Sequence, residues 1–261
     1  IENNVGMGNV CFVPLKHLFM RGQGIKIFSL VSKACRAKQF IIPILPRPTG
    51  DDDDGYEGAI VLDPQTGMYL QDPITVLDYS SLYPSSMISR NLSHDCYIMD
   101  EKYLNIPGIE YITVEYDVYS GKGDKKKAVG KKKVIFAQLP EGRKGIMPSI
   151  LMMLLDARKT TRKKIEYYTV TKKDGTQITG YCNMEETTII DGEEVRKLED
   201  VDTKEKWIVK VSDIQTMEET FSKSEQAILD ARQLAYKITA NSLYGQCGSR
   251  TSPIYLKEVA A

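Results

Sequence analysis

The first forty residues carry apolar side chains at helical spacing. In the stretch IKIFSLVSKACRAK, Ile25, Phe28, Val31 and Cys35 recur every three or four residues, and cations gather toward its end. This pattern predicts that residues 1–40 are mostly helical.

Two further helices are predicted in the second half of the chain. Pro148 stands near the start of MPSILMMLLDARKTTRKKIEYY, whose later turns are rich in cations, as is typical of a helix. Another helix is predicted from about residue 224 to residue 244. Its apolar stripe consists of Ile228, Ala231, Ala235 and Ile238. We expect these two helices to form an antiparallel hairpin.

Alternation of apolar and polar residues predicts a β-hairpin before these helices. The stretch EYITVEYDVY places Ile112, Val114, Tyr116 and Val118 on one face, and VIFAQL can pair with it. Residues 125–133 contain six lysines and are predicted to belong to the connecting loop. These lysines either contact nucleic-acid phosphates or form a solvated loop tip.

Two earlier segments also carry strand signals. YEGAIVLDPQTGMYL predicts two strands around a turn at Asp63 and Pro64, and the apolar run ITVL then leads into Asp78. The linker at residues 43–55 precedes both. Its four successive aspartates could bind cations, but a solvated loop is the favoured interpretation.

A polar segment with short strand signals separates the two later helices. YTVTKKDGTQITGY predicts a hairpin around Asp174 and Gly175, and TTIIDGEEV predicts another turn at Asp191 and Gly192. The stretch WIVKV alternates from Trp207 onward. We therefore expect a small β insertion at the far end of the helical hairpin.

Composition excludes several classes of site. Lys and Arg number 35, and Asp and Glu also number 35, so net charge indicates no partner. The five cysteines are scattered without a C-x-x-C pair, which predicts buried thiols in a reducing compartment. Two histidines cannot form a zinc cluster, so a catalytic metal would be a hard cation held by carboxylates. No membrane span or signal peptide is expected.

The stretch ITVLDYSSLYPS offers a candidate metal and phosphate site. A buried strand would deliver the Asp78 carboxylate to its end, where Mg²⁺ could bind. Pro84 is well placed to start a helix, whose first amides, near Ser81 and Leu82, would form an anion cradle. The alternative is that Asp78 forms a turn and that Ser80 and Ser81 cap the helix. Spacing alone leaves both interpretations open.

The two later helices add cations that favour the phosphate interpretation. Arg158 and Arg162 are four residues apart and share one helix face. On the second helix, Lys237, Asn241 and Tyr244 also lie at helical spacing. Gly245 follows, where the absence of a side chain would let a backbone or a base pair approach closely. Guanidinium and ammonium groups suit a triphosphate, although a solvated basic face is the simpler alternative.

Four stretches, in order along the chain, resemble motifs of family-B DNA polymerases. YEGAIV (residues 56–61) resembles the Y-x-G-G/A step between the exonuclease and polymerase parts, and DYSSLYPS (residues 78–85) resembles the palm motif D-x-x-S-L-Y-P-S. ARKTTRK resembles the arginine-bearing first fingers helix, and KITANSLYG (residues 237–245) resembles the fingers motif K-x-x-x-N-S-x-Y-G. The amino-acid sequence most resembles polymerases of large double-stranded DNA viruses, including algal viruses.

The resemblance implies an α+β fold that is part of a polymerase right hand. Antiparallel palm strands would accompany a two-helix antiparallel fingers hairpin with a small β insertion. The implied regions are the exonuclease end with a helical lead-in and acidic linker (1–55), the first half of the palm (56–140), the first fingers helix (141–167), the β-rich insertion (168–217), the second fingers helix (218–247) and a return to the palm (248–261).

The palm motif carries the implied catalytic roles. Asp78 would ligate two catalytic Mg²⁺ ions, with the Tyr79 carbonyl assisting one of them. The amides of Ser81 and Leu82 would hold the β- and γ-phosphates. Tyr83 would lie beneath the sugar and reject a 2′-hydroxyl.

The fingers motif carries the implied nucleotide and DNA contacts. Arg158, Arg162 and Lys237 would grip the triphosphate, with Asn241 nearby. Tyr244 and Gly245 would pack on the nascent base pair. The implied reaction is two-metal phosphoryl transfer from deoxynucleoside triphosphates to a primer 3′-hydroxyl.

The implied partners are primer-template DNA, deoxynucleoside triphosphates and a processivity factor, with no membrane. The implied location is intracellular, in the host nucleus or cytoplasm if the protein is viral.

The sequence departs from the family in one serious respect. The second metal-binding carboxylate of the family lies in a Y-G-D-x-D-S hairpin, which is absent here, as are the exonuclease motifs and the thumb. We therefore expect an internal piece of a polymerase that does not polymerise alone. The alternative function is a nucleotide- or nucleic-acid-binding module without catalysis, which rests on the lysines of residues 125–133 and the fingers cations.

Overall fold

The computed structural model of the chain describes residues 2–42, 61–71, 73–120 and 127–260. In these ranges the helices are α1 (Glu2–Cys11), α2 (Leu15–Met20), α3 (Gln23–Ala37), α4 (Leu82–Arg90), α5 (Ile146–Ile165), α6 (Lys223–Gly248) and α7 (Lys257–Ala260). The strands are β1 (Glu110–Ser120), β2 (Lys127–Gln138), β3 (Tyr167–Lys172), β4 (Gln177–Tyr181), β5 (Thr188–Ile190), β6 (Glu193–Glu199), β7 (Lys206–Lys210) and β8 (Ile214–Glu219).

The chain divides into two units, and the three divisions fall just before α3, within α5 and within α6. Residues 1–22 and 153–240 form the first unit, and residues 23–152 and 241–261 form the second. The prediction that residues 1–40 are mostly helical is confirmed by α1, α2 and α3. None of the helices in the described ranges is long and apolar enough to cross a membrane.

The buried faces of the helices differ in detail from the predicted stripes. On α3 the buried residues include Ile27, Leu30 and Val31, whereas Ile25 and Phe28 are only half-buried. On α6, Ile228 is 49% exposed, although it belongs to the predicted stripe. Apolar spacing found the helices, but it placed their buried faces only approximately because neighbouring turns offer overlapping stripes.

The predicted hairpin of the second unit is confirmed by β1 and β2. The two strands are antiparallel, with Ile112 opposite Phe136 and Val114 opposite Val134. The predicted lysine loop is too long, however, because β2 already begins at Lys127. Cross-strand charge pairing accounts for this extension, since acidic residues of β1 lie directly opposite lysines of β2.

The strands predicted before Asp78 are not present in the described residues. Residues 61–71 and 73–79 have no regular secondary structure, and Val76 and Leu77 are 85% and 90% exposed. The linker at residues 43–55, residues 56–60 and Asp72 lie outside the described residues. A strand needs a neighbour to satisfy its backbone groups, and no described residue pairs with this segment. The prediction of a buried strand is therefore wrong here.

The first unit contains the predicted β insertion as an antiparallel sheet. The strand order is β5-β6-β4-β3-β8, with β7 also paired to β6. Both predicted turns are confirmed. Asp191 and Gly192 connect β5 to β6 with φ angles of 52° and 81°, as a type I′ turn requires. Val170, Cys182, Leu198 and Val209 form the core of this sheet.

The sheet joins the helical hairpin where α5 ends and α6 begins. The insertion begins with β3 and ends with β8, which pair antiparallel, so the chain returns to where α5 ends. The Thr220 amide donates to the Tyr167 carbonyl at 2.9 Å, and the Val201 amide donates to the Tyr167 hydroxyl at 2.8 Å. Since the end of α5 and the start of α6 are adjacent, the two helices form the antiparallel hairpin that was predicted.

Asn91 is the polar centre of the second unit. It is fully buried and ends α4 in the left-handed conformation, at φ 55°. Its Nδ2 donates to the Ala137 carbonyl at 3.0 Å and to Cys96 Sγ at 3.2 Å. Its Oδ1 accepts from the Gly145 amide at 2.9 Å. One side chain thus joins the end of α4, strand β2 and the residue before α5.

Asn91→Ala should destabilise the second unit by about 3 kcal/mol, because it leaves a buried N–H and a buried C=O without partners. Chemical denaturation measures this loss. Asn105→Ala is the matched control, since Asn105 also has a positive φ, of 61°, but is exposed. We expect it to cost only about 1 kcal/mol, from backbone strain. Equal losses at both positions would contradict the role of the Asn91 hydrogen bonds.

His94 is a second polar group with an unusual environment in this unit. Its Nε2 lies 3.1 Å from the Ile254 carbonyl oxygen, and its Nδ1 is buried without a described partner. Burial lowers the pKa of His94, and this effect outweighs those of the Ile254 carbonyl and the Asp95 carboxylate, which raise it. The neutral imidazole, with Nε2–H donating, is therefore the form that the fold favours.

Stability should decrease in acid because of His94. The unfolded chain takes up a proton near pH ~6.5, whereas the folded chain resists it. The free energy of unfolding should therefore fall as pH drops from about 7.5 to about 5.5, and His94→Gln should lose less stability over this range than the wild-type chain. Urea denaturation at the two pH values measures the difference, with His17→Gln as the control. Equal losses of unfolding free energy in the wild-type and His94→Gln chains would refute the role of His94 in this pH dependence.

The five cysteines, all in the described ranges, are buried thiols outside any disulfide, which confirms the predicted buried thiols. Burial raises the pKa of Cys247 to about 12 and that of Cys96 to about 12, the latter with help from the Asp95 charge. These two thiols therefore stay protonated in the folded chain.

Candidate functional site

The N-terminus of α4 presents backbone amides without partners. Ser81 precedes the helix in the left-handed conformation, with φ 53° and ψ 50°. Among the described residues, no acceptor hydrogen-bonds to the amides of Ser81, Leu82 or Tyr83, and Pro84 has no N–H. Unsatisfied amides and the helix dipole together attract an anion. The amides that the predicted cradle requires are therefore without partners in the described part of the chain.

The alternative interpretation, in which serines cap the helix, is not supported. The Ser81 side chain makes no capping hydrogen bond. Instead, the Ser85 hydroxyl donates to the Ser80 carbonyl at 3.2 Å and leaves the first amides open. Since no side chain of the described ranges bonds to these amides, they are available to an external anion.

A cavity of about 300 Å³ lies beside this helix end. Its lining includes Ser86, Ser89 and Arg90, which sequence reasoning missed. Their spacing of three and four residues on α4 is the signal that would have placed them on one face.

Asp78 is exposed, and none of the described hydrogen bonds or ion pairs involves it. Carboxylate and carbonyl oxygens are the ligands that Mg²⁺ prefers, so the donor type of Asp78 and Tyr79 fits this ion. However, the described residues contain no group of three or more His, Cys, Asp or Glu side chains that could hold a metal. Asp78 can supply one ligand, but these residues do not form a complete magnesium site.

Tyr83 and Tyr244 form an aromatic stack in the second unit. Their ring centroids are 4.3 Å apart and their planes differ by 11°. The Tyr244 hydroxyl donates to the Ala260 carbonyl at 2.7 Å, which ties the end of α6 to α7. Two residues from different predicted motifs are thus brought together, and the Tyr83 ring is supported on one face.

Asn241 and Gly245 flank this stack on α6, and both are exposed. A Cβ atom at Gly245 would meet no other atom of the described residues within 4 Å, so packing against these residues does not require glycine there. The surface at this position is open, as the predicted contact with a base pair requires.

The three predicted phosphate-binding cations lie in the first unit. Arg158 is half-buried and its Nε donates to Gln233 Oε1 at 3.3 Å. Arg162 and Lys237 are exposed and have no hydrogen-bond or ion-pair partner among the described residues. By contrast, Lys163 and Lys164 are held at 2.6 Å by Glu199 and Asp202. The three cations that the sequence singled out therefore have no carboxylate partner among the described residues, unlike Lys163 and Lys164.

Three lysines of β2 are paired with carboxylates. Lys131 and Lys133 share Glu115, at 3.0 and 3.5 Å, and Lys132 contacts Glu258 at 2.6 Å. Lys131 also lies opposite Asp117 on β1. Because these acids offset the charge of the three lysines, the structure does not favour a phosphate-binding role for them.

The comparison with protein families identifies the chain. The model of DNA polymerase family B matches residues 13–179 and 205–261, which is most of the sequence. The chain belongs to DNA polymerase family B. The family predicted from the four motifs is confirmed.

Viral polymerases are among the relatives of this family B chain. The DNA polymerase of Pyramimonas orientalis virus is 51% identical over 262 residues, which cover 99% of this chain and 21% of that protein. The DNA polymerase of Phaeocystis pouchetii virus is 40% identical over 288 residues, covering 100% and 22%. The chain thus spans about a fifth of the length of these relatives.

A solved structure supports the fold of this family B chain. The family B DNA polymerase of Pyrobaculum calidifontis superimposes with a TM-score of 0.53 and 22% identity, covering 99% of this chain and 24% of that chain. This likeness concerns the fold alone, and it confirms the predicted arrangement of helices and antiparallel sheet as part of a polymerase.

The family match leaves out residues 180–204. This segment runs from the end of β4 through the β5–β6 hairpin to the loop before β7. This gap between the two matched ranges lies within the predicted insertion at residues 168–217, whose bounds stay a prediction.

Proposed function

We propose that this family B chain contributes the nucleotide-binding surface and one catalytic carboxylate to a template-directed DNA polymerase. The observation that supports this most strongly is the row of free amides at Ser81, Leu82 and Tyr83, three residues after the exposed Asp78. Such amides suit the phosphates of a nucleotide. Family membership and relatives named DNA polymerase support the same activity.

The proposed reaction adds a deoxynucleotide to a primer. The primer 3′-hydroxyl attacks the α-phosphate of the incoming deoxynucleoside triphosphate, and pyrophosphate leaves. The amides of Ser81 and Leu82 hold the β- and γ-phosphates, and Arg158, Arg162 and Lys237 offset their charge. Such positioning and charge stabilisation provide most of the catalysis in phosphoryl transfer.

We assign Asp78 and the Tyr79 carbonyl as two of the oxygen ligands of Mg²⁺. When bound, the metal would polarise phosphate oxygens and help to position the primer hydroxyl. The described residues bring one carboxylate to this place, which is too few for the proposed pair of ions. We therefore expect the chain alone not to extend a primer.

The aromatic stack provides the proposed sugar and base-pair contacts. Tyr83 lies beneath the sugar and excludes a 2′-hydroxyl, while Tyr244 and Gly245 pack on the nascent base pair, with Asn241 nearby. The stack at 4.3 Å supports this assignment because it limits the freedom of the Tyr83 ring. The proposed partners are primer-template DNA and nucleotides, and a processivity factor stays a prediction.

Asp78→Ala in the full-length polymerase should lower the rate of primer extension by about 1000-fold, because it removes a group that acts on the reacting phosphate. Affinity for primer-template should stay nearly unchanged. Single-turnover extension and a DNA-binding titration measure the two quantities. Asp63→Ala is the control, since Asp63 is exposed in the same irregular segment and should extend normally. Primer extension at the wild-type rate by Asp78→Ala would refute the assignment of Asp78 as a catalytic carboxylate.

Tyr83→Ala in the full-length polymerase should raise the frequency of ribonucleotide incorporation at least about 10-fold, because the ring no longer excludes the 2′-hydroxyl. Competition between deoxynucleotides and ribonucleotides measures this frequency. Tyr83→Phe keeps the ring and should discriminate like the wild-type enzyme. If Tyr83→Ala discriminates as well as Tyr83→Phe, the sugar-gate role is wrong.

A further inference from the structure

A short hydrogen-bond relay crosses between the two helices of the first unit. The Arg158 Nε on α5 donates to Gln233 Oε1 on α6 at 3.3 Å. Gln233 Nε2 in turn donates to Asp230 Oδ1, one turn earlier on α6, at 3.0 Å. The relay therefore runs from a guanidinium through a neutral amide to a carboxylate.

The relay defines the orientation of the Gln233 amide. An ionised carboxylate can only accept hydrogen bonds, so Asp230 requires the NH₂ group of Gln233 to face it. The carbonyl oxygen of the same amide then faces Arg158, which can only donate. The positions of Gln233 Oε1 and Nε2 are therefore fixed by their partners. In the flipped amide, the NH₂ group would face the donor Arg158 and the carbonyl oxygen would face the acceptor Asp230.

The hydrogen bond at Arg158 Nε leaves the two terminal nitrogens of the guanidinium available for a ligand. Only Nε of Arg158 is engaged, and the terminal nitrogens have no partner among the described residues. These two nitrogens form the planar fork that binds phosphate oxygens. A bond at Nε restricts rotation of the guanidinium plane, so the fork is oriented before a ligand arrives.

The charge of the partner distinguishes Arg158 from its neighbours on α5. Lys163 and Lys164 are held by carboxylates, which orient them but cancel their charge. Gln233 is neutral, so it orients Arg158 and leaves the positive charge available. A neutral partner therefore orients the guanidinium without offsetting the charge that attracts a phosphate.

We propose that Gln233 is a positioning residue that orients the Arg158 guanidinium for the triphosphate of the incoming nucleotide, with Asp230 fixing the Gln233 amide. This inference rests on the proposed function of Arg158. It extends that function to two residues of α6 that lie outside the KITANSLYG motif.

The test measures KM and kcat for a deoxynucleoside triphosphate in the full-length polymerase. Gln233→Met has similar length but no acceptor, and it should raise KM about tenfold with a smaller change in kcat. Gln226→Met is the matched control, since Gln226 lies on the same helix and contacts Glu219 and Phe221 instead. Its KM should equal that of the wild-type enzyme, and thermal denaturation verifies that both variants are folded.

A double-mutant cycle separates positioning from a general effect on structure. Arg158→Ala should raise KM by more than Gln233→Met, and adding Gln233→Met to Arg158→Ala should have no further effect. Asp230→Leu should also raise KM, whereas Asp230→Asn should stay near the wild-type value because its amide oxygen still accepts from Gln233. This pattern would establish the relay.

The experiment distinguishes failure of the proposed phosphate-binding role of Arg158 from failure of the positioning role of Gln233. An unchanged KM in Arg158→Ala would overturn the proposed role of Arg158 itself. A raised KM in Arg158→Ala together with an unchanged KM in Gln233→Met would overturn only the positioning role. Independent, additive effects of Arg158→Ala and Gln233→Met would overturn it as well.

Discussion

The buried amide of Asn91 is the constraint on which the second unit depends. A buried side-chain amide must satisfy its donors and its acceptor, and Asn91 does so by joining three segments that are distant in sequence. The arrangement leaves little space, because a Cβ at Gly145 would lie 2.8 Å from Cys96 Sγ and Ser93 Cβ. Since Asn91 holds the C-terminal end of α4, the free amides at the other end of this nine-residue helix are held as well.

Whether a lysine or arginine contributes net positive charge to its surroundings depends on the group that it contacts. Three lysines on β2 and two lysines at the end of α5 contact carboxylates, which offset their charge. Arg158 contacts an amide, and Arg162 and Lys237 have no partner in the described ranges. A chain with zero formal net charge thereby keeps cations without carboxylate partners on α5 and α6, which is where the proposed function needs them.

Local patterns predicted the elements that are stabilised locally. Helical spacing identified α3, α5 and α6, and the Asp191-Gly192 dipeptide identified a turn, because these features depend on residues only a few positions apart. The strand before Asp78 failed because a strand depends on a neighbour that local pattern does not supply. Asn91 and Gln233 were missed for a similar reason: their partners Ala137 and Arg158 lie 46 and 75 residues away.

The pairing of β3 with β8 means that the β insertion begins and ends at one place on the helical hairpin. The turn between β5 and β6 is remote from this closing contact, because β5 and β8 lie at opposite ends of the strand order. Other residues of the segment that the family match leaves out, 180–204, do contact α5, since Glu199 binds Lys163 and Asp202 binds Lys164. The β5–β6 turn can thus change in length without altering the contacts that hold the end of α5, and it offers a place to graft new sequence.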